Sequence, residues 1–272
     1  MTIVGLVSPG EMGASVGAAA KANVDLVLWA GDDRSQASHQ RAHSAGLIDC
    51  GTLANMVNQA DIILSICPPH EAAAVARSLV DQKFTGLFAD CNAIAPDKSR
   101  QLSALFAPGH YVDGGIVGGP AWQKDSGTRL YLSGAEADVI ASLFEQSPLL
   151  TRVISTEVGP ASALKMTFAA YTKGSIALLA AILGTADSYG VREILEQQWG
   201  DDFTAQTHQR LVSTAVKGWR FAGEMEEIAD TFEVAGLPDG FHRAAADIYA
   251  RMNEFKDNQP ADINQLLQAL RI

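Results

Sequence analysis

Met1-Thr-Ile-Val-Gly-Leu-Val-Ser-Pro-Gly-Glu-Met-Gly-Ala-Ser-Val-Gly17 opens the chain and decides how the rest is read. Residues 3–7 form a short apolar run with the character of a buried strand, and Ser8-Pro9 ends it. A helix-compatible segment starts near Glu11. Gly10 and Gly13 stand where a dinucleotide-binding turn places its second and third glycines. The second lets a pyrophosphate approach the backbone, and the third lets helix and strand pack closely. A helix N-terminus adds free N–H groups and the positive end of a dipole. Ser8 occupies the first glycine's place, so the pattern is S-x-G-x-x-G. Ser8, Pro9, Gly10, Glu11, Met12 and Gly13 are therefore the candidate nucleotide turn. A tight strand-to-helix turn without a ligand is the competing reading.

Outward from this turn, the first 155 residues alternate strand and helix signals. Strands are predicted at 3–7, 24–30, 62–67, 86–90, 111–117, 128–133 and 151–155, with helices at 36–45, 53–59 and 71–80. That rhythm implies a Rossmann-type α/β domain, a doubly wound parallel sheet. After Gly159-Pro160 strand signals vanish. Leu164, Phe168, Tyr171, Ser175, Leu178, Ile182 and Ala186 recur at helical spacing, up to a glycine stop at Gly190. Further helices are predicted at 191–198, 205–227 (with breaks near Gly218 and Gly223), 240–254 and 261–271. The expected organisation is a dinucleotide-binding domain over 1–157 and an all-α domain over 158–272, hinged near 158.

Bulk composition narrows the class. The chain has 272 residues, 47% hydrophobic and 19% charged, with a formal charge of −11. Such an acidic balance argues against nucleic acid as a partner, because phosphate contacts need basic patches. Cys50, Cys67 and Cys91 show no metal-ligand spacing, and free thiols in a cytoplasmic protein are expected. The longest apolar stretch, residues 175–183, is too short to cross a bilayer. His39 and His43 stand at i, i+4 without an evident third ligand, so no metal site is expected. The excess apolar surface of the long helix suggests a homodimer.

Ligands of open α/β sheets bind outside the carboxyl ends of the strands. The second strand ends in Gly31-Asp-Asp-Arg-Ser35. Arg34 and Ser35, with Ser38 a turn later, resemble a clamp for the 2′-phosphate of NADP, whereas Asp32 would suit the ribose of NAD. NADP is the favoured cofactor and NAD the alternative. Cys67 and Pro68 end the third clear strand as a rigid ledge on the cofactor side, although the thiol itself reads as packing. Asn92, after the next strand, either contacts the cofactor or caps a turn. Asp113-Gly-Gly-Ile-Val-Gly-Gly119 allows close backbone approach to a ligand, or a sharp turn. Lys165 stands about a turn and a half into the long helix, with Ala169 and Thr172 on its face. It either reaches to solvent or serves proton transfer near the hinge.

Together these pieces resemble the β-hydroxyacid dehydrogenase superfamily, which includes 3-hydroxyisobutyrate and 6-phosphogluconate dehydrogenases. The resemblance rests on Gly10-Glu-Met-Gly13, on Asp113-Gly-Gly-Ile-Val-Gly-Gly119 with Gly127, and on Gly159 followed by Lys165. Ala163-Leu-Lys-Met-Thr, Thr172-Lys-Gly-Ser and Glu224-Met-Glu-Glu are most similar to a branch bearing a C-terminal domain of unknown function. It implies a nicotinamide cofactor, an oligomer, and Lys165 as general acid/base for hydride transfer to or from a hydroxy, keto or imine compound. Gly118, Gly119, Trp122, Ala169 and Thr172 would shape the substrate pocket. The pattern departs at Val117, where the superfamily has a serine, and at Ala169, where it has an asparagine. Gly223-Glu224 falls near the place of its Lys-Asp pair. Such changes imply a different substrate, or a nucleotide-binding sensor that has lost catalysis.

Overall fold

The computed structural model describes residues 1–256 and 258–271. In chain order the first elements are β1 (Ile3–Val7), α1 (Glu11–Ala20), β2 (Leu26–Trp29), α2 (Gln36–Ser44), β3 (Ile48–Asp49), α3 (Leu53–Val57) and β4 (Ile62–Ser65). There follow α4 (Ala72–Asp81), β5 (Leu87–Asp90), α5 (Pro96–Ser103), β6 (Tyr111–Val117), β7 (Arg129–Ser133), α6 (Ala137–Ser142), β8 (Leu150–Ser155) and α7 (Pro160–Ser188). The remainder is helical: α8 (Arg192–Trp199), α9 (Asp201–Ala215), α10 (Gly218–Val234), α11 (Gly240–Ala250) and α12 (Ile263–Ala269).

The eight strands form one sheet in the order β3-β2-β1-β4-β5-β6-β7-β8. β3 through β6 run parallel, β7 is antiparallel to β6, and β8 is parallel to β7. Strand order reverses between β1 and β4, so a crevice opens there beyond their carboxyl ends. The expected doubly wound sheet is present. Its central strands are mostly apolar because both faces are covered, with buried Ser65, Asp90 and Asp113 as polar exceptions. Val4, Leu6, Val27 and Leu64 pack with Ala14, Val16, Ala42 and Ile140 on one face. Leu28, Ile63 and Phe88 pack with Met56, Ala76, Leu79 and Leu102 on the other. Local chemistry sets helix starts: the hydroxyls of Ser35 and Thr52 accept from Ser38 and Asn55 backbone N–H groups, and Pro96 occupies the first turn of α5.

Seven predicted strands are present, within a few residues at their ends. The missed strand, β3, is two exposed residues and too short to show periodicity. The helix predicted over 205–227 is two helices, parted at Val216 and Lys217. Gly218 is the first residue of the second, and a side chain there would meet the Met252 Cβ at 2.8 Å. Gly223 breaks nothing; open space surrounds it in mid-helix.

Two compact units divide the chain at Met166/Thr167, downstream of the boundary at 157/158 expected from sequence. The reason lies in the first turn of α7. The N–H groups of Ala161 and Ser162, and of Gly159 just before the helix, bond to side chains of β6 and β7, so this turn belongs to the sheet. In the second unit, α10 and α11 pack as a pair around Met225, Ile228, Ala245 and Tyr249. Lys173 and Glu224 form an ion pair there, and the Tyr249 hydroxyl donates to the Lys173 carbonyl at 2.8 Å. By length and composition α7 is a helix that can cross a membrane, a feature that the run at 175–183 alone does not reveal.

Candidate functional site

The turn after β1 is open on its outer side. Ser8 adopts φ +66°, a left-handed conformation that glycine adopts freely and serine adopts at a cost. Its carbonyl accepts the Gly10 N–H at 2.9 Å. A Cβ on Gly13 would collide with that same carbonyl oxygen, whereas a Cβ on Gly10 would meet nothing within 4 Å. Gly13 thus serves helix–strand packing, and Gly10 leaves space above the turn. No side chain caps the N-terminus of α1 at Gly10. The first-turn N–H groups are thus left to a ligand. This open space beside an uncapped helix start fits a pyrophosphate. Because Ser8 stores backbone strain of about 1 kcal/mol, Ser8→Gly is expected to raise the thermal midpoint by about 2–4 °C. A lowered midpoint in a thermal melt would refute this.

The segment after β2 is tied to that turn by a residue the sequence reading did not single out. Arg41 donates from Nε to the Pro9 carbonyl at 3.1 Å and from Nη2 to Ser38 Oγ at 3.2 Å. Ser38 Oγ lies 3.1 Å from Ser35 Oγ. Ser38 and Arg41 are three apart in α2, and this i, i+3 spacing on one face was the available signal. Arg34 is exposed at the same loop, and its positive charge acts on the Cys67 thiol. Arg34, Ser35, Ser38 and Arg41 thus form a basic and hydroxyl-bearing rim at the end of β2. Asp49 buttresses this rim by accepting the N–H groups of Gly31 at 3.1 Å and Gly51 at 2.8 Å. His39 Nε2 lies 3.1 Å from the Gly31 carbonyl oxygen. Among the described residues no group of three or more His, Cys, Asp or Glu can hold a metal ion.

Asn92 stands differently from its reading as a direct cofactor contact. Its side chain is 2% exposed and committed at both ends: Oδ1 accepts the Cys67 N–H at 2.6 Å, and Nδ2 donates to Ser65 Oγ at 3.0 Å. It shapes the Cys67-Pro68 ledge from beneath, buried at the end of β5. Burial pushes the Cys67 thiol up to about 11 and the Cys91 thiol further, so both are packing groups and not nucleophiles.

Asp90 lies beside this ledge, fully buried. Its Oδ1 accepts the Asn92 N–H at 3.0 Å. Burial, with the negative charge of Asp113, raises its carboxyl to about 7. The folded chain therefore holds this proton more tightly than the unfolded chain. The resulting contribution weakens as pH rises from about 4 to about 7. Chemical denaturation of Asp90→Asn against the parent is expected to show the variant gaining relative stability across that window, by at most about 1.4 kcal/mol per pH unit. Parallel stability curves would refute it.

The glycine loop after β6 reaches the turn at the start of α1. Ser15 Oγ donates to the Met12 carbonyl at 2.8 Å and accepts the Ala121 N–H at 2.9 Å. Gly118 has φ +124°, and its missing Cβ would stand 2.8 Å from Thr128 Oγ1, which donates to the Gly119 carbonyl at 2.7 Å. Gly119 opens to free space. Trp122 is 49% exposed and Tyr171 77% exposed, so neither is a core residue. Lys165 is half-buried on α7, its Cβ close above the backbone of Gly115. In the second unit Ala169 is buried, and the Thr172 hydroxyl donates to the Phe168 carbonyl at 3.2 Å. Thr172 is therefore already bonded within its own helix, and Ala169 presents no polar group.

Comparison with known proteins supplies the wider frame. Residues 180–252 match the domain of unknown function DUF1932. A 28.5 kDa uncharacterized protein of Methanothermus fervidus is 25% identical over 229 residues, 83% of this chain and 88% of that one. A conserved protein of unknown function, described as similar to 3-hydroxyacid dehydrogenases, superposes with TM-score 0.65 at 27% identity, covering 95% of this chain and all of that one. Mycobacterium tuberculosis 3-hydroxyisobutyrate dehydrogenase, solved with L-serine, gives 0.67 at 16% identity over the whole of both chains. An Aspergillus terreus reductive aminase, solved with NADPH and ethyl levulinate, gives 0.54 at 15% over the whole of both. Residues 180–252 thus match DUF1932, and the fold is that of 3-hydroxyacid dehydrogenases and related reductases.

Proposed function

We propose that this chain is an NADP-dependent oxidoreductase in which Lys165 is the general acid/base for a small hydroxy, keto or imine compound. The observation that carries this reading is the content of the first unit. The open Gly10–Gly13 turn, the glycine loop bonded to α1 through Ser15, and Lys165 seated on β6 all belong to it. The same fold in a reductive aminase solved with NADPH supports a nicotinamide cofactor. When bound, that cofactor donates or accepts a hydride. The chain's own residues do the rest. Gly10, Met12 and Gly13 at the α1 N-terminus would hold the pyrophosphate. Arg34, Ser35, Ser38 and Arg41 would hold the 2′-phosphate. The Cys67-Pro68 ledge would back the cofactor, and Lys165 would move the proton to or from the reacting oxygen or nitrogen.

Substrate chemistry follows from what is missing. Val117 donates no hydrogen bond, Ala169 is buried and apolar, and Thr172 is bonded within its helix. A site built to bind polar groups loses about 1–3 kcal/mol for each partner removed. An apolar or aromatic compound is therefore the substrate class that we propose, and exposed Trp122 beside the Gly118-Gly119 turn supports it. These same absences motivate the rival reading, a nucleotide-binding sensor. Mixing the protein with NADPH and a panel of carbonyls and imines separates the two by absorbance at the reduced-nicotinamide band. Oxidation of NADPH by at least one apolar carbonyl or imine is expected; saturable NADPH binding without oxidation across the panel favours the sensor. Tighter binding of NADH than of NADPH would overturn the cofactor assignment.

We also take the acting form to be a cytoplasmic homodimer. Tyr189, 80% exposed, and Val191, 46% exposed, line an apolar groove of about 450 Å³ with Ile182, Thr185 and Leu195, a surface that a second copy can cover.

A further inference from the structure

β6 presents three residues in sequence to the same side. Side chains alternate across a strand, so Asp113, Gly115 and Val117 share one face, and Gly114 and Ile116 share the other. Contacts bear this out. A Cβ on Gly114 would stand 2.6 Å from Cys91 Sγ, behind the sheet. A Cβ on Gly115 would stand 2.5 Å from the Ala161 carbonyl oxygen and 3.0 Å from the Lys165 Cβ. The backbone of α7 therefore lies on the strand itself at the lysine, with no side chain between them.

One register position earlier, Asp113 is fully buried and accepts five hydrogen bonds. Oδ1 takes the hydroxyls of Ser99 at 3.0 Å and Ser162 at 2.5 Å. Oδ2 takes the Ser133 hydroxyl and the N–H groups of Gly159 and Ser162, each at 3.0 Å. Ser133 in turn accepts the Ala161 N–H at 3.0 Å. A carboxylate and a hydroxyl from two strands thus replace the usual cap of α7, and they fix the helix along its axis and in rotation. Ser162 lies three residues before Lys165, nearly one turn along the same helix.

We infer that Asp113 and Gly115 are positioning residues for Lys165: the carboxylate clamps the helix start, and the missing side chain sets how close the lysine stem sits to the strand. The inference rests on Lys165 being the proton-transfer group, but its test needs no turnover. The probe is acetic anhydride at trace concentration, with acetylation of Lys165 measured by mass spectrometry across pH and exposed Lys21 and Lys83 as internal references. Gly115→Ala is expected to change the Lys165 labelling rate by about three-fold or more, because even an added methyl is felt in a close-packed contact. Asp113→Asn is expected to change that rate as well, because an amide in place of the carboxylate turns N–H donors toward the donors it now receives and loosens the helix start. Lys21 and Lys83 should be unchanged in both. Ser162→Ala, which keeps the carboxylate, carries the test of the clamp if Asp113→Asn fails to fold, and it should give an intermediate change. Labelling profiles of Lys165 that superimpose on the parent in folded Gly115→Ala and Ser162→Ala proteins would overturn the inference. If instead labelling shifts but Lys165→Ala leaves NADPH oxidation intact, the catalytic assignment fails and the positioning geometry stands.

Discussion

Lys165→Ala is expected to lower turnover by roughly 10²–10⁴ while NADPH affinity stays within about two-fold of the parent, as loss of a general acid/base requires. The separation follows from where the residues stand. The Gly10–Gly13 turn is made by β1 and α1, with Arg41 reaching it from α2, whereas Lys165 sits on α7 over β6. Removing the amine takes away a proton carrier without touching the turn. Lys165→Arg sharpens the test. It keeps a positive charge, but a guanidinium does not release its proton near neutral pH. It should therefore be nearly as impaired as the alanine variant. Turnover is followed by NADPH absorbance on whichever carbonyl or imine the panel yields, and affinity by quenching or transfer of protein fluorescence. Unchanged turnover in Lys165→Ala removes the lysine from the chemistry. A loss confined to KM would make it a binding residue only.

The fold was legible because its signals are local and repeated. A buried parallel strand needs an uninterrupted apolar run, and residues 3–7 and 62–65 supply it; Ser8-Pro9 and Pro68-Pro69 mark the stops. What escaped the sequence are contacts between distant positions. Asp113 appears there as the head of a glycine motif, and nothing local shows that it gathers Ser99, Ser133, Gly159 and Ser162. Those partners lie 14 to 49 residues away, so the polar hub exists only once β6, β7 and α7 have met. The same holds for Asn92. A polar residue after a strand suggests a ligand contact, but the return of β4 beside β5 brings Ser65 and Cys67 to it and uses both ends of its amide. Arg41 was missed for the opposite reason. It reads as a solvated helix residue until α2 is seen to carry it back to the Pro9 carbonyl.

Gly13→Ala should abolish nucleotide binding and cost folding stability together. Two constraints meet at this residue. Ser8 is held at φ +66° with its carbonyl turned toward α1, where it accepts the Gly10 N–H. The space that carbonyl occupies is the space a Gly13 side chain needs. A methyl group there must push α1 away from β1 or force Ser8 out of its turn. Either movement displaces the N–H groups that would face the pyrophosphate. Overpacking of this kind costs about 1–3 kcal/mol of stability. The lost helix-terminus contacts should weaken NADPH binding by about 100-fold or more, since charge-assisted hydrogen bonds contribute about 1.5–3 kcal/mol each. Gly10→Ala separates the two effects. Its Cβ meets nothing in the unliganded chain, so stability should hold, while the methyl intrudes where the pyrophosphate would lie. Isothermal titration with NADPH and thermal melts of both variants read the two quantities independently. If Gly10→Ala binds NADPH as the parent does, the phosphate does not sit over this turn and the cofactor assignment falls. If Gly13→Ala binds normally but melts early, the third glycine serves packing alone.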